Sequence, residues 1–317
     1  MNILVTGAVG FIGFSLCDSL IKKKHKVFGI DNFDTYYSVE IKKKRLKILN
    51  KNKNFYFKKI DITQRSGLFN FFKKKKIDII IHLAAQAGVR YSLINPKKYV
   101  DVNIFGFLNI IELAKEKKIK KFIYASSSSV YGENKKFPLS ENQSLNPKNI
   151  YGLSKQMNEQ IASMYSKFFD LKCIGLRFFT IYGEWGRPDM FLFKLFKASQ
   201  QNKKFYLNNY GNHKRDFTYV KDAVKIVLKL VNYKIVNNEI FNICSNKPIK
   251  ILDIIKYFKK KNNVEVKLTE MHKADVKDTH GDNKKIKKAL KRIKFNKFYR
   301  CFDTTYEWYK KNNISKI

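Results

Sequence analysis

A phenol and an ammonium stand four residues apart at Tyr151 and Lys155, in the run Tyr151-Gly152-Leu153-Ser154-Lys155. On a helix that spacing puts both side chains on one face. The positive charge favours phenolate and lowers a pKa that starts near about 10, so the pair is an acid/base device. In a chain with 18 tyrosines the spacing alone is common, and its position is what gives it meaning. Upstream, Phe122-Ile123-Tyr124 reads as a buried strand that breaks into four serines, Ser126 to Ser129. A strand ending in hydroxyls, followed by a helix opening on Tyr and Lys, suits alcohol/ketone redox chemistry. One group holds the reacting oxygen and another moves its proton.

These residues need a scaffold, and the chain alternates strand-like and helix-like segments. Strands are expected at 2–6, 26–30, 55–60, 78–83, 121–126, 172–176 and 239–243, with amphipathic helices such as 11–24, 98–117 and 151–169 between them. Repeated β-α-β connections predict a parallel sheet covered on both faces. After about residue 180 the pattern loosens, and Pro188, Gly211, Pro248 and Gly281 punctuate short elements. This predicts a first domain over 1–179, with later returns near 216–244, and a smaller one mainly over 180–317.

The first turn carries a phosphate-binding pattern. Strand 2–6 enters Thr6-Gly7-Ala8-Val9-Gly10-Phe11-Ile12-Gly13, a G-x-x-G-x-x-G variant of the dinucleotide fingerprint. Gly7 permits the tight turn, Gly10 lets backbone N–H groups approach a pyrophosphate, and Gly13 allows close helix–strand packing. The second strand ends at Asp31, where a carboxylate meets adenosine ribose hydroxyls and repels a 2′-phosphate, favouring NAD over NADP. Asp61-Ile62 is expected near adenine, and His82-Leu83-Ala84-Ala85 beside the pyrophosphate.

A formal charge of +39, from 65 basic and 26 acidic residues, would ordinarily suggest nucleic acid or an anionic membrane. The lysines are spread in short runs at exposed helix positions, and only eight basic residues are arginine, so no nucleic-acid role is expected. In such a lysine-rich chain arginine should persist where a bidentate fork is needed, which singles out Arg90, Arg177, Arg187 and Arg215. Cys17, Cys173, Cys244 and Cys301 lie far apart with no C-x-x-C, so no metal site is expected and a reducing cytoplasm fits best. No signal peptide or membrane-spanning run is expected either.

The segments TGAVGFIG, HLAAQAGVRYS, YASSSSVYG, YGLSK, LRFFTIYGEWGRPDM and RDFTYVKD together resemble the extended short-chain dehydrogenase/reductase family, the NAD-dependent sugar-nucleotide epimerases and dehydratases. Asp31-Asn32-Phe33-Asp34-Thr35-Tyr36-Tyr37 and Gly186-Arg187-Pro188-Asp189-Met190 are most similar to its branch acting on UDP-hexuronates. The resemblance implies a Rossmann-type doubly wound α/β sheet with a smaller C-terminal α/β substrate domain, a resident NAD⁺, and a UDP-sugar between the two. Ser127, Tyr151 and Lys155 match the catalytic set, and Asn103 an asparagine supporting the cofactor site. Phe11, Ile12, Asn32, Ile62, Leu83, Ala84 and Ala85 join the glycines, Asp31 and Asp61 as expected cofactor contacts. Gln86, Arg90, Arg187, Arg215 and Asp275 are expected at the substrate.

The implied reaction is 4-epimerisation of UDP-glucuronate to UDP-galacturonate through a 4-keto sugar, supplying surface-polysaccharide precursors. Tyr151 takes the 4-hydroxyl proton, Ser127 holds the same oxygen, and Lys155 lowers the tyrosine pKa. Related dehydratases and decarboxylases place an acid after the catalytic Ser/Thr, whereas this chain has Ser128 and Ser129. Those hydroxyls and Thr180 are expected to hold the sugar carboxylate and restrain a β-keto acid from losing CO₂. A neutral UDP-sugar 4-epimerase, acting on UDP-glucose or UDP-N-acetylglucosamine, is the alternative. A non-catalytic NAD-binding scaffold has no use for an activated phenol. Apolar stripes on the two long helices (Val102, Phe105, Leu108, Asn109, Ile111; Ile161, Met164, Tyr165, Phe168) predict a homodimer through a four-helix bundle.

Overall fold

The computed structural model describes residues 1–316 of the chain. Seven strands form one parallel sheet: β1 (Asn2–Thr6), β2 (Lys26–Asp31), β3 (Phe55–Lys59), β4 (Ile79–His82), β5 (Lys121–Ser127), β6 (Cys173–Phe178) and β10 (Glu239–Ile243). Their spatial order is β10-β6-β5-β4-β1-β2-β3, all neighbours parallel. The order reverses between β1 and β4, which opens a crevice beyond their carboxyl ends. Helices cover both faces, and near-continuous apolar strands such as Ile79-Ile80-Ile81 are what a doubly covered parallel sheet requires.

The chain leaves this sheet after Phe178. It builds a three-stranded sheet from β7 (Thr180–Tyr182), β9 (Lys214–Tyr219) and β11 (Pro248–Lys250), and a two-stranded one from β8 (Phe205–Leu207) and β12 (Val266–Leu268). None of these five strands was expected, because three to six residues with no clean alternation carry little period-2 signal. The chain returns to the large sheet through the Val220–Asn232 helix and β10. Helices Phe191–Gln200, Ile251–Lys259 and Phe298–Lys311 close the smaller region around Phe196, Phe258, Phe302 and Tyr306, whose rings meet at 4.8 to 5.9 Å.

The helix expected at 98–117 is interrupted. A π-helical turn, Val100–Phe105, joins the short Pro96–Tyr99 helix to Gly106–Glu116. The widened turn carries Asn103, fully buried, which accepts from the Gln86 N–H (2.8 Å) and donates to the Gln86 carbonyl (3.0 Å) and Ser154 Oγ (3.0 Å). Among the described residues no helix is long and apolar enough to cross a membrane.

At the crevice, Thr6 Oγ1 accepts the N–H groups of Leu83 (3.2 Å) and Ala84 (3.1 Å) and gives its own proton to His82 Nδ1 (2.8 Å). Burial together with the nearby Lys155 charge drives the His82 pKa from 6.5 to about 3 and keeps the ring neutral, and a neutral ring that accepts from Thr6 at Nδ1 carries its proton on Nε2. The unfolded chain then binds the proton near pH 6.5 and the folded chain only near pH 3, so stability is lost as the pH falls through this window. The loss is at most about 1.4 kcal/mol per pH unit from this one group. His82→Asn keeps an acceptor for Thr6 and removes the titration. Urea midpoints at pH 7 and pH 4.5 should differ less in His82→Asn than in the parent protein, and equal differences would count against this origin of acid sensitivity.

Candidate active site

Two cavities meet at the crevice. The smaller, about 270 Å³, is lined by Gly7, Gly10, Phe11, Ile12 and Gly13, by Asp31 and Asn32, by Ile62, and by Leu83, Ala84, Ala85 and Gln86. Gly7 adopts φ +68°, and a Cβ on Gly13 would fall 2.0 Å from the Gly7 carbonyl oxygen, so the turn and the helix start are pressed together as only glycine allows. The Phe11–Lys22 helix has no side-chain cap and no acidic residue in its first turn, leaving its N-terminal N–H groups facing this cavity for an anion. Asp31 Oδ1 accepts the Phe33 N–H at 2.9 Å and lies 3.7 Å from the buried Lys42 ammonium. A phosphate-binding turn at one end and a buried carboxylate at the other fit a dinucleotide with free ribose hydroxyls.

The larger cavity, about 990 Å³, lies between the large sheet and the smaller region. Ser128, Ser129, Thr180, Arg90, Arg187, Arg215 and Asp275 all line it. Tyr36, Ala87, Tyr151, Arg187 and Met190 line both cavities, so Tyr151 stands where contents of one meet contents of the other. Tyr151 and Lys155 open the Ile150–Phe169 helix, whose N-cap Asn149 accepts the Gly152 N–H at 2.9 Å. Ser127, Tyr151 and Lys155 share the wall of the smaller cavity. Ser127 Oγ accepts the Ser129 N–H (3.1 Å) and lies 3.2 Å from Ser129 Oγ, which ties the hydroxyls of the serine turn together.

The electrostatics differ from the expectation in one respect. Lys155 Nζ donates to the Ala125 carbonyl (2.9 Å), and burial lowers its pKa to about 8 against the opposing pull of Glu159. Burial raises the Tyr151 phenol, while the Ser127 hydrogen bond and then the Arg187 charge pull it down. The influences that lower the phenol are thus the Ser127 hydroxyl and the Arg187 charge.

The other residues expected at the site take different positions around the two cavities. Gln86 lines the smaller cavity and not the larger one. Asn103 lies behind the wall, fixing Gln86 and Ser154. Asp61 also sits off the wall, accepting from Asn32 Nδ2 (2.9 Å) and the Thr63 N–H (2.9 Å). The arginine forks are engaged within the protein: Arg187 with Asp189 (3.0 and 2.5 Å), Arg90 with Asp275 (3.3 and 2.7 Å), and Arg215 with the carbonyls of Lys214, Val276 and Lys277. Arg177 reaches neither cavity; it is buried against Glu159. Tyr36, Tyr37, Lys42 and Arg45 were missed, although the first two lie in a segment already singled out. The other two stand in Lys42-Lys43-Lys44-Arg45, where a run of charges reads as a solvated helix face, yet Lys42 and Arg45 are buried.

The profile of the NAD dependent epimerase/dehydratase family matches residues 3–244. An uncharacterized protein of Methanocaldococcus jannaschii is 45% identical over 294 residues, spanning 91% of this chain and 90% of its own length. UDP-glucuronate 4-epimerase of Thermodesulfobacterium geofontis is 39% identical over 291 residues, spanning 90% of this chain and 89% of its own. Among solved structures, UDP-glucuronic acid 4-epimerase from Bacillus cereus, in complex with UDP-glucuronic acid and NAD, superposes with a TM-score of 0.92 at 33% identity. The superposition covers 98% of this chain and all of that one.

Proposed function

This chain belongs to the NAD dependent epimerase/dehydratase family, and from that premise we propose that it interconverts UDP-glucuronate and UDP-galacturonate by inverting C4 of the sugar. The observation that carries the reading is the place of Tyr151, on the wall of both cavities, with Ser127 and Lys155 beside it. NAD bound in the smaller cavity supplies the hydride acceptor and donor at C4 of a UDP-sugar held in the larger one. Tyr151 Oη takes the 4-hydroxyl proton and returns it. Ser127 Oγ hydrogen-bonds the same oxygen, and Lys155 brings a positive charge to the same cavity wall. Gly7, Gly10 and the start of the Phe11–Lys22 helix take the pyrophosphate, and Asp31 takes a ribose.

Substrate class rests on the serine turn. Ser128, Ser129 and Thr180 offer three hydroxyls to the larger cavity near Arg187, a set suited to a carboxylate. The two aspartates on that wall are each tied to an arginine, Asp189 to Arg187 and Asp275 to Arg90, and neither belongs to the serine turn. Elimination or assisted decarboxylation therefore lacks the acid/base that related enzymes place there, and the 4-keto sugar keeps its carboxylate. A cavity of about 990 Å³ leaves room for that sugar to turn and present its other face. All four cysteines are buried and free, which agrees with a reducing cytoplasm.

We place a second copy of the chain on the outer face of helices Gly106–Glu116 and Ile150–Phe169. Of the stripe read from sequence, Ile111 is core, Asn109 donates to the Ile62 carbonyl (2.9 Å), and Val102, Ile161 and Tyr165 pack inward. Phe105, Leu108, Met164 and Phe168 remain exposed, Phe168 by 66%, and Phe169 joins them. A single apolar patch of this kind on two adjacent helices suits an isologous four-helix contact.

Product analysis, variant turnover and solution mass test these readings. Purified protein given UDP-glucuronate should yield UDP-galacturonate with no net change in NADH. Tyr151→Phe should bind the same substrate nearly as well while turnover falls by about 10²–10⁴-fold. Turnover of UDP-glucose at least as fast as UDP-glucuronate would move the assignment to a neutral sugar, and near-parental turnover in Tyr151→Phe would remove the assigned base. Light scattering at micromolar concentration should give twice the chain mass of 37.5 kDa, with Phe168→Asp shifting it towards the single chain. A single-chain mass for the parent protein would dismiss the dimer.

A further inference from the structure

Arg45 lies at the centre of the Val39–Leu49 helix and is fully buried, although three lysines precede it in sequence. Its Nη1 donates to the Val9 carbonyl (2.9 Å) and to Tyr37 Oη (3.1 Å); its Nη2 donates to the carbonyls of Trp185 (2.5 Å) and Gly186 (3.3 Å). No carboxylate is paired with it, so four oxygens share the solvation of one buried cation. Val9 belongs to the glycine-rich turn, and Trp185 and Gly186 lead directly into Arg187, which lines both cavities.

The receiving loop needs such a clamp. Trp185 adopts φ +59°, a left-handed conformation that is unfavourable for a bulky residue and persists only when its surroundings over-determine it. Its ring packs edge-on against Phe14 of the first helix at 5.3 Å and against Trp308 at 5.0 Å. The strained residue is thus held from its carbonyl by Arg45 and from its ring by Phe14 and Trp308. Arg45 and Phe14 belong to the part of the chain that carries the glycine-rich turn.

We propose that Arg45 is a positioning residue that sets Arg187 from the glycine-rich turn, so that the larger cavity takes its substrate-binding shape only when registered on the smaller one. Arg45 touches neither cavity and acts through the backbone of residues 185–187. A lysine there has one ammonium for oxygens on three segments, whereas the guanidinium fork reaches all of them at once. The inference rests on the UDP-glucuronate reading given above.

The test separates the two. UDP-glucuronate affinity is measured by calorimetry in NAD-loaded protein carrying Tyr151→Phe, so that turnover does not intervene, and NAD content per chain is measured alongside. Arg45→Lys should weaken the affinity by about tenfold, the loss expected for a misplaced charge-assisted contact. In an Arg187→Lys background the same change should add less than about twofold, because the two residues act in series. Phe14→Leu, which touches no buried charge, should weaken affinity about threefold in the Arg187 protein and serves if Arg45→Lys does not fold. Unchanged affinity in Arg45→Lys or in Phe14→Leu, or factors that multiply in the double variant, would overturn the positioning role. A merely structural part would lower the melting temperature and leave affinity per folded chain as it was. If the Tyr151→Phe parent itself bound no UDP-glucuronate, the substrate reading would fall first and take the inference with it.

Discussion

Behind the serine turn, with no contact to either cavity, lies the ion pair between Arg177 of β6 and Glu159 of the Ile150–Phe169 helix. Arg177 Nε and Nη2 meet the two carboxylate oxygens at 2.9 and 2.8 Å, and both side chains are almost wholly out of water. Burying two charges costs several kcal/mol per ion and is recovered only when every remaining donor and acceptor finds a partner. Here they do. Ser126 Oγ donates to Glu159, Arg177 Nη1 donates to Tyr131 Oη and the Glu141 carbonyl, and Tyr131 Oη donates to Asn242 of β10. One pair thus fastens two strands, the serine turn and the catalytic helix. Glu159 stands one turn beyond Lys155 and two beyond Tyr151, so it fixes the height of the helix against the serines. It also favours the charged form of Lys155.

The arginines follow a common rule with different destinations. Lysine solvates the surface, and arginine appears where one cation must satisfy several oxygens in a plane. Arg177 does so for a carboxylate and a phenol, Arg45 for three carbonyls and a phenol, and Arg215 for three carbonyls of the strand and loop flanking the larger cavity. Arg187 and Arg90 hold aspartates on that same wall. The forks nearest the larger cavity are therefore held by aspartates of that same wall and by carbonyls that flank it. The two that brace the architecture, Arg45 and Arg177, are the ones fully removed from water.

Chemistry at this site is governed by what surrounds the phenol. Burial alone would keep Tyr151 protonated, since it raises the phenol while lowering Lys155 to about 8. Hydrogen bonding from Ser127 and the Arg187 charge act in the opposite direction. The protonation of this phenol thus depends on the serine turn and on Arg187, which lines both cavities. Two cavities meeting at Tyr151 is the arrangement that makes this dependence useful.

The sequence by itself determined the large sheet, its first turn and the set Ser127, Tyr151 and Lys155 that shares one cavity wall. These are encoded locally: apolar runs of four to seven residues, glycines at three-residue spacing, a strand breaking into hydroxyls, and Tyr and Lys one helical turn apart. The strands of the smaller region were not legible, because elements of three residues such as β7 and β8 are held by pairing partners far along the chain. Nor could local pattern show that Arg177 turns inward to Glu159, that Asn103 stands behind Gln86, or that Lys42 and Arg45 leave a basic helix face for the interior. Burial of a charged side chain is decided by whether distant backbone oxygens are brought within reach of it, and only the folded chain supplies those oxygens.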